Sequence, residues 1–275
     1  MSMEPFNFDV SKYPALPRAK GFFVTGTDTE VGKTIIAGAI ARQLRRIGRA
    51  VEVFKPVATG CRRELDALVS ADGEFLAACC DSKRRLADIV PLRYVTAVSP
   101  NVAALREHRP IDLDAMFAAY WAMVTDISSR NGVAVVEGVG GLLCPISDDF
   151  WVIHLAKMTQ LPLVIVARAG LGTINHTLLT LHAARTAGVE VAGVIVNRYR
   201  LEPQAGDLNP QQAGEYFRGD EDMAMFTNPQ QIAARGKVAL LAIVPDEPTN
   251  SVENVTIGPD TEFAISQVDW QKMLK

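Results

Sequence analysis

The sequence predicts an α/β fold: a doubly wound, mostly parallel sheet with helices on both faces. Three observations carry this reading. Short apolar runs alternate with helical stretches along the chain, and the runs are apolar on both faces, as strands of a covered parallel sheet are. The first run also opens into a glycine-bearing loop that passes straight into a helix.

The elements follow in order. Phe22 to Thr25 is a strand ending at Gly26, and Lys33 to Arg46 is a helix that brings Ile35, Ile36, Ala39, Ile40 and Leu44 onto one face. Val51 to Phe54 reads as the next strand, Asp112 to Arg130 as a long helix, Val133 to Val136 as a strand and Phe150 to Thr159 as a helix. Leu163 to Val166 is a buried strand, Ile174 to Thr186 a helix closed by Gly188, and Val191 to Val196 and Val238 to Val244 are the last strands. One domain over 21–249 accounts for all of them. Three segments fall outside the alternation: a proline-bearing extension over 1–20, a polar surface insertion at about 200–227, and a tail over 250–275. No internal repeat supports a solenoid.

Composition narrows the function classes. With 275 residues, 48% of them hydrophobic, the chain buries a core without covalent staples, and a net charge of -3 offers no broad basic surface for nucleic acid. The best apolar run, Leu161 to Ala167, is far too short to span a bilayer, and the N-terminus lacks a signal peptide's pattern. Cys61, Cys79, Cys80 and Cys144 show no metal-ligand spacing and read as reduced thiols, so a cytoplasmic protein is expected.

Gly26-Thr27-Asp28-Thr29-Glu30-Val31-Gly32-Lys33-Thr34 lies between a strand and a helix, where a phosphate-binding loop belongs. Backbone N–H groups and a helix N-terminus face the anion there, Lys33 sets a point charge against the β and γ oxygens, and the Thr34 hydroxyl reaches Mg²⁺. The spacing departs from the strict motif: Thr27 stands where its first glycine belongs, and Gly26 lies one residue earlier. A P-loop NTPase-like sheet is expected. Partition-type ATPases carry a second lysine early in this loop, and Thr27 to Val31 has none.

From Phe23 to Thr34 the chain resembles dethiobiotin synthetases, and three later segments agree in the family's order. Lys55-Pro56-Val57-Ala58-Thr59-Gly60 is similar to the KPVxxG segment, Glu137-Gly138-Val139-Gly140-Gly141 to the EGxGG turn, and Gly172-Thr173-Ile174-Asn175-His176 to the substrate-side helix start. The likeness covers about Phe22 to Asn197, with a looser match at Val244-Pro245-Asp246.

The resemblance implies ATP-dependent closure of a cyclic urea from 7,8-diaminononanoate and CO₂. Under it, Lys33 and Lys55 flank the transferring phosphate as catalytic residues. Glu30, Val31, Gly32, Lys33, Thr34, Asp72, Glu137, Gly138, Val139, Gly140, Asn197, Arg198, Pro245 and Asp246 bind ATP, Asn197 by contacting adenine. Thr34, Asp72 and Glu137 hold Mg²⁺, with Asp66 and Glu74 as rivals to Asp72. Thr29 and Thr59 line the diamine pocket, joined by Glu30. Gly172, Thr173, Ile174 and Asn175 take the substrate carboxylate from the partner subunit, which implies a homodimer. Two other readings stand beside this one. A corrinoid-pathway amidation enzyme shares the deviant loop but usually adds a glutaminase domain, and a regulatory nucleotide-binding module would keep the loop and lose ring closure.

Overall fold

The computed structural model describes residues 7–200 and 220–274. Strands β1 (Gly21–Gly26), β2 (Val51–Phe54), β7 (Val133–Gly141), β8 (Leu163–Arg168), β9 (Val191–Tyr199) and β10 (Leu240–Pro245) form one parallel sheet, ordered β10-β9-β8-β1-β7-β2. Two small ribbons, β3 (Val57–Ala58) with β6 (Leu92–Arg93) and β4 (Arg62–Glu64) with β5 (Ala67–Val69), lie outside it. Helices α1 (Lys33–Arg46), α2 (Ala71–Cys80), α3 (Leu86–Ile89), α4 (Pro100–Arg106), α5 (Leu113–Ser129), α6 (Val152–Thr159) and α7 (Thr173–Thr186) connect the strands. Beyond residue 219 come α8 (Asp220–Gly236), α9 (Pro259–Ser266) and α10 (Trp270–Met273).

Alternation along β1 explains the two cores. Phe23 enters an apolar cluster with Met116 and Phe117 of α5, Ile153 of α6 and Leu181 of α7. Phe22 and Val24 point the other way, into a cluster with Ile36 and Ile40 of α1 and Phe75 and Leu76 of α2. Because β1 is buried along its whole length, its composition is apolar on both faces apart from Thr25, and periodicity alone does not separate them. Local caps start three of the helices: the Ser70 hydroxyl accepts the Gly73 amide ahead of α2, the Asp112 carboxylate the Ala115 amide ahead of α5, and the Asp269 carboxylate the Lys272 amide ahead of α10.

The expected strands and helices are present, with shifted ends. The helix expected from Phe150 starts at Val152, because Trp151 bridges back to Pro145, and the strand expected to end at Val136 continues to Gly141. The polar insertion expected at about 200–227 overlaps α8, which begins at Asp220, buries Met225 and Phe226, and donates from the Asn228 side chain to the Ala169 carbonyl at 2.8 Å. Dense Asp, Glu and Gln hide the short apolar stripe in the sequence. The rest of that expected insertion, 201–219, lies outside the described residues.

The segment over 250–275 carries α9 and α10, which cover one face of the sheet. Trp270 is fully buried, meets Phe22 edge-on at 5.2 Å between centroids, and donates its indole N–H to the Ile265 carbonyl at 2.8 Å. Trp270→Ala is expected to cost about 3–5 kcal/mol through cavity formation, measured by denaturant unfolding. Among the described residues, no helix is long and apolar enough to cross a membrane, and all four cysteines are free.

Candidate active site

The sheet order places the chemistry. From β1 the chain runs to β2 and β7 on one side and then crosses to β8, β9 and β10 on the other, so a crevice opens beyond the carboxyl ends of the strands, where open α/β sheets bind ligands. The register does the rest. β1 pairs Val24 with Glu137 of β7, and β2 pairs Phe54 with Val136, so Lys55, one residue past β2, lands beside Glu137.

Lys55 is almost fully buried and lies between two carboxylates, 2.6 Å from Asp72 Oδ2 and 2.8 Å from Glu137 Oε1. Glu137 Oε1 also accepts the Thr34 hydroxyl at 2.8 Å, while Glu137 Oε2 is buried with no hydrogen-bond partner. The rivals to Asp72 are elsewhere: Glu74 pairs with Arg62 at 2.7 Å, and Asp66 is exposed in the β4–β5 turn. A hydroxyl and two carboxylates, one of them with an orphaned oxygen, form the all-oxygen donor set that Mg²⁺ favours.

The charges are strongly coupled. Burial alone would lower the Lys55 ammonium, but Glu137 and Asp72 outweigh it and hold Lys55 charged, above its ordinary range. Burial raises the Glu137 carboxyl despite Lys55. For Asp72 burial is again the largest influence and acts upward, yet Lys55 and the Thr34 hydroxyl together bring its carboxyl below the usual value. A lowered native value stabilises the fold above the ordinary carboxylate range, and that contribution disappears as pH falls through it. Asp72→Asn is therefore expected to flatten the acid side of a plot of melting temperature from about pH 7 to pH 2.

The phosphate loop is built for an anion. Gly32 caps α1 with φ +91° and no side chain covers the first-turn amides. Lys33 is buried, its ammonium is lowered by burial, and its Nζ donates to the Asp28 carbonyl at 2.9 Å. Asn197, at the end of β9, is turned toward the loop: its side-chain N–H donates to the Val31 carbonyl at 2.9 Å.

A cleft of 870 Å³ gathers many of the expected residues, among them Thr29, Glu30, Gly32, Lys33, Thr34, Lys55, Thr59, Asp72, Glu137, Val139, Gly140 and Arg198. Val31 lines an adjoining cleft with Arg168 and Arg198. Gly138 is packed against Phe23 and Val152, and Asn197, Pro245 and Asp246 stand outside the wall of the main cleft, the Asp246 amide donating to the Tyr199 carbonyl at 2.9 Å. Gly172, Thr173, Ile174 and Asn175 are also outside it, at the start of α7, where Gly172 has φ +89° and no side chain caps the helix. Sequence reasoning missed two walls of the cleft: Ala97 to Pro100, and Asn250 to Glu253. Only turn chemistry marked them, Ser99-Pro100 at a helix start and the Pro248-Thr249-Asn250-Ser251 cluster.

Comparisons with known proteins place the chain among relatives. A family model described as an AAA domain, AAA_26, matches residues 20–254. The ATP-dependent dethiobiotin synthetase BioD of Bacillus subtilis subsp. natto is 34% identical over 226 residues, 82% of this chain and 87% of that protein. The same enzyme of Clostridium kluyveri is 29% identical over 254 residues, covering 91% and 97%. Among solved structures, the MinC:MinD cell division complex of Aquifex aeolicus aligns with TM-score 0.52 at 15% identity, covering 93% of this chain and 94% of that one. A ParA family ATPase of Chlorobium tepidum aligns with TM-score 0.51 at 12% identity, covering 90% and 98%. At such identity these two share the fold alone. The curated relatives and the family model carry the assignment, and the chain belongs to the ATP-dependent dethiobiotin synthetase family of P-loop ligases.

Proposed function

We propose that the protein makes dethiobiotin from 7,8-diaminononanoate, CO₂ and MgATP. One amine of the substrate adds to CO₂ and loses a proton, giving a carbamate. A carbamate oxygen attacks the γ-phosphorus and ADP leaves, so a carbamic-phosphoric anhydride forms. The second amine attacks the activated carbonyl, the ring closes, and phosphate leaves with the amine's proton released. The observation that carries this reading is Lys55, buried and charged at a strand end within reach of the phosphate loop.

Such a reaction asks the protein mainly for positioning and charge neutralisation. Lys33 neutralises the migrating phosphoryl group from the loop side, and Lys55 faces carbamate and phosphate oxygens from the β2 side. Thr34, Asp72 and Glu137 would hold Mg²⁺, which supplies Lewis-acid neutralisation of the phosphate oxygens. Thr29, Glu30 and Thr59 border the diamine. Asn197, Arg198, Pro245 and Asp246 approach the base, Asn197 after release from Val31.

The start of α7 takes the substrate carboxylate across a homodimer interface. Leu171 and Leu179 flank it, 77% and 59% exposed, and such apolar exposure supports a partner there. Sedimentation of the purified protein as a monomer at assay concentration would overturn the dimer. Mass spectrometry after incubation with MgATP, bicarbonate and the diamine tests the reaction: a cyclic urea of dethiobiotin mass is expected, with ADP release dependent on both co-substrates. Tight ATP binding without diamine-stimulated turnover would favour the regulatory module instead.

A further inference from the structure

Residues 7–16 precede the stretch that the family model matches, 20–254, and take no part in the chemistry above. They are nonetheless tied closely to one loop. Lys12 forms an ion pair with Asp149. The Tyr13 hydroxyl donates to the Asp149 carbonyl at 3.0 Å, and the Tyr13 ring stands edge-on to Phe150 with centroids 4.8 Å apart. His154, 3% exposed, accepts the Trp151 amide at Nδ1 over 2.8 Å, which leaves Nε2 as the N–H that donates to the Asn7 carbonyl at 3.0 Å. The Lys157 ammonium donates to the Phe8 carbonyl at 2.9 Å.

These ties converge on the loop from Leu142 to Trp151 and on the first turns of α6. The loop continues the Glu137–Gly141 turn and is closed on itself: Cys144 N–H donates to the Gly141 carbonyl at 3.0 Å, Val152 N–H to the Cys144 carbonyl at 3.0 Å, and Ile146 N–H to the Phe150 carbonyl at 2.8 Å. Cys144 presses on the turn so closely that a Cβ on Gly140 would lie 3.0 Å from its sulfur. Leu142, Leu143 and Cys144 also wall a separate cleft of 470 Å³ with Thr27 to Thr29 and His176, sharing Thr29, Gly140 and Cys144 with the main cleft. A displacement of Phe150 therefore has a packed route to Gly140 and to the Thr29 side of the site, away from Lys55 and Asp72.

We propose that residues 7–16 form a strap that positions the Leu142–Trp151 loop and, through Cys144, the Gly140 turn, so that this extension tunes the diamine side of the site. The assignment to the diamine side rests on the function proposed above; the mechanical link does not. An added segment that only decorated the surface would leave exchange and kinetics of the distant turn unchanged. A strap that freezes a loop shifts its local opening equilibrium and the alignment of the groups it carries.

The test compares the full chain with a deletion of residues 1–14 and with Tyr13→Ala, which keeps the chain length and guards against a deletion that fails to fold. Hydrogen exchange is read over 142–151 and, as control, over 22–46. Exchange in the loop is expected to accelerate about tenfold in both variants, with the control segment unchanged. The diamine KM is expected to rise about tenfold through Thr29, and the ATP KM to rise less, through the Gly140 turn. Unchanged loop exchange overturns the strap, and an unchanged diamine KM overturns its reach to the diamine side. If the full chain shows no diamine-dependent turnover, the functional reading fails, and the exchange arm still decides the strap.

Discussion

Lys55→Gln is expected to lower dethiobiotin formation by about 10²–10³-fold while MgATP still binds, because a preorganised charge aimed at developing oxyanions contributes on that scale. Product mass spectrometry and calorimetric titration of MgATP read the two halves. The same substitution has a structural consequence. Glu137 is 1% exposed, and Lys55 is its buried counter-ion, so the variant leaves a carboxylate uncompensated. Breaking a buried pair from one side costs about 3–5 kcal/mol. Without Lys55 the Glu137 carboxyl, already raised by burial, rises further. A raised native value favours the fold at low pH, and that advantage is lost as pH climbs from the ordinary carboxylate range through the native value. The variant is therefore expected to lose less stability relative to wild type near about pH 5 than near about pH 8. Adding Glu137→Gln to it should restore stability and leave activity absent. Recovery of product formation in the double variant would remove the catalytic role assigned to Lys55.

Gly32→Ala is the second large effect expected. The residue sits at φ +91°, and a Cβ there would lie 2.1 Å from the Asn197 side-chain nitrogen. Left-handed backbone costs a residue with a Cβ about 1–2 kcal/mol. Displacing Asn197 from the Val31 carbonyl forfeits about 0.5–1.5 kcal/mol more. Together these give a loss of about 1.5–3.5 kcal/mol in denaturant unfolding and at least about a tenfold weakening of ATP binding, since the loop amides are misaimed. The double variant Gly32→Ala/Asn197→Ala removes the clash and keeps the backbone strain. It should recover part of the stability, and the non-additivity measures the contact itself. Equal stability of Gly32→Ala and wild type would show that the loop relaxes freely, contrary to the close packing described.

Much of this protein is legible in its residues alone. The strand, loop and helix around Gly26 to Thr34 are contiguous, so their apolar pattern and glycine placement report a local conformation directly. The Lys55 and Glu137 segments announce themselves as strand ends bearing charge. What their positions along the chain do not contain is their meeting, because β2 and β7 are separated by four helices, α2 to α5, and two ribbons, and only the parallel register of Phe54 with Val136 brings the side chains together. Asp72 needed the same nonlocal contact to be told from Asp66 and Glu74.

Other features were set by packing that no local signal records. The acidic and Gln-rich stretch before Asn228 hid the buried pair Met225 and Phe226, and the closing segment gave no hint that Trp270 would seal the face of β1. Asn197 was legible as a strand-end asparagine, but its turn toward Val31 depends on the loop of a strand distant in sequence. Sequence by itself determined the elements that follow from periodicity, turn chemistry and a contiguous anion cradle, since those interactions span a few residues. The tertiary structure alone decided which charges share a dry site, which segments complete the core and which walls close the cleft, since those are energies of contact between residues far apart in the chain.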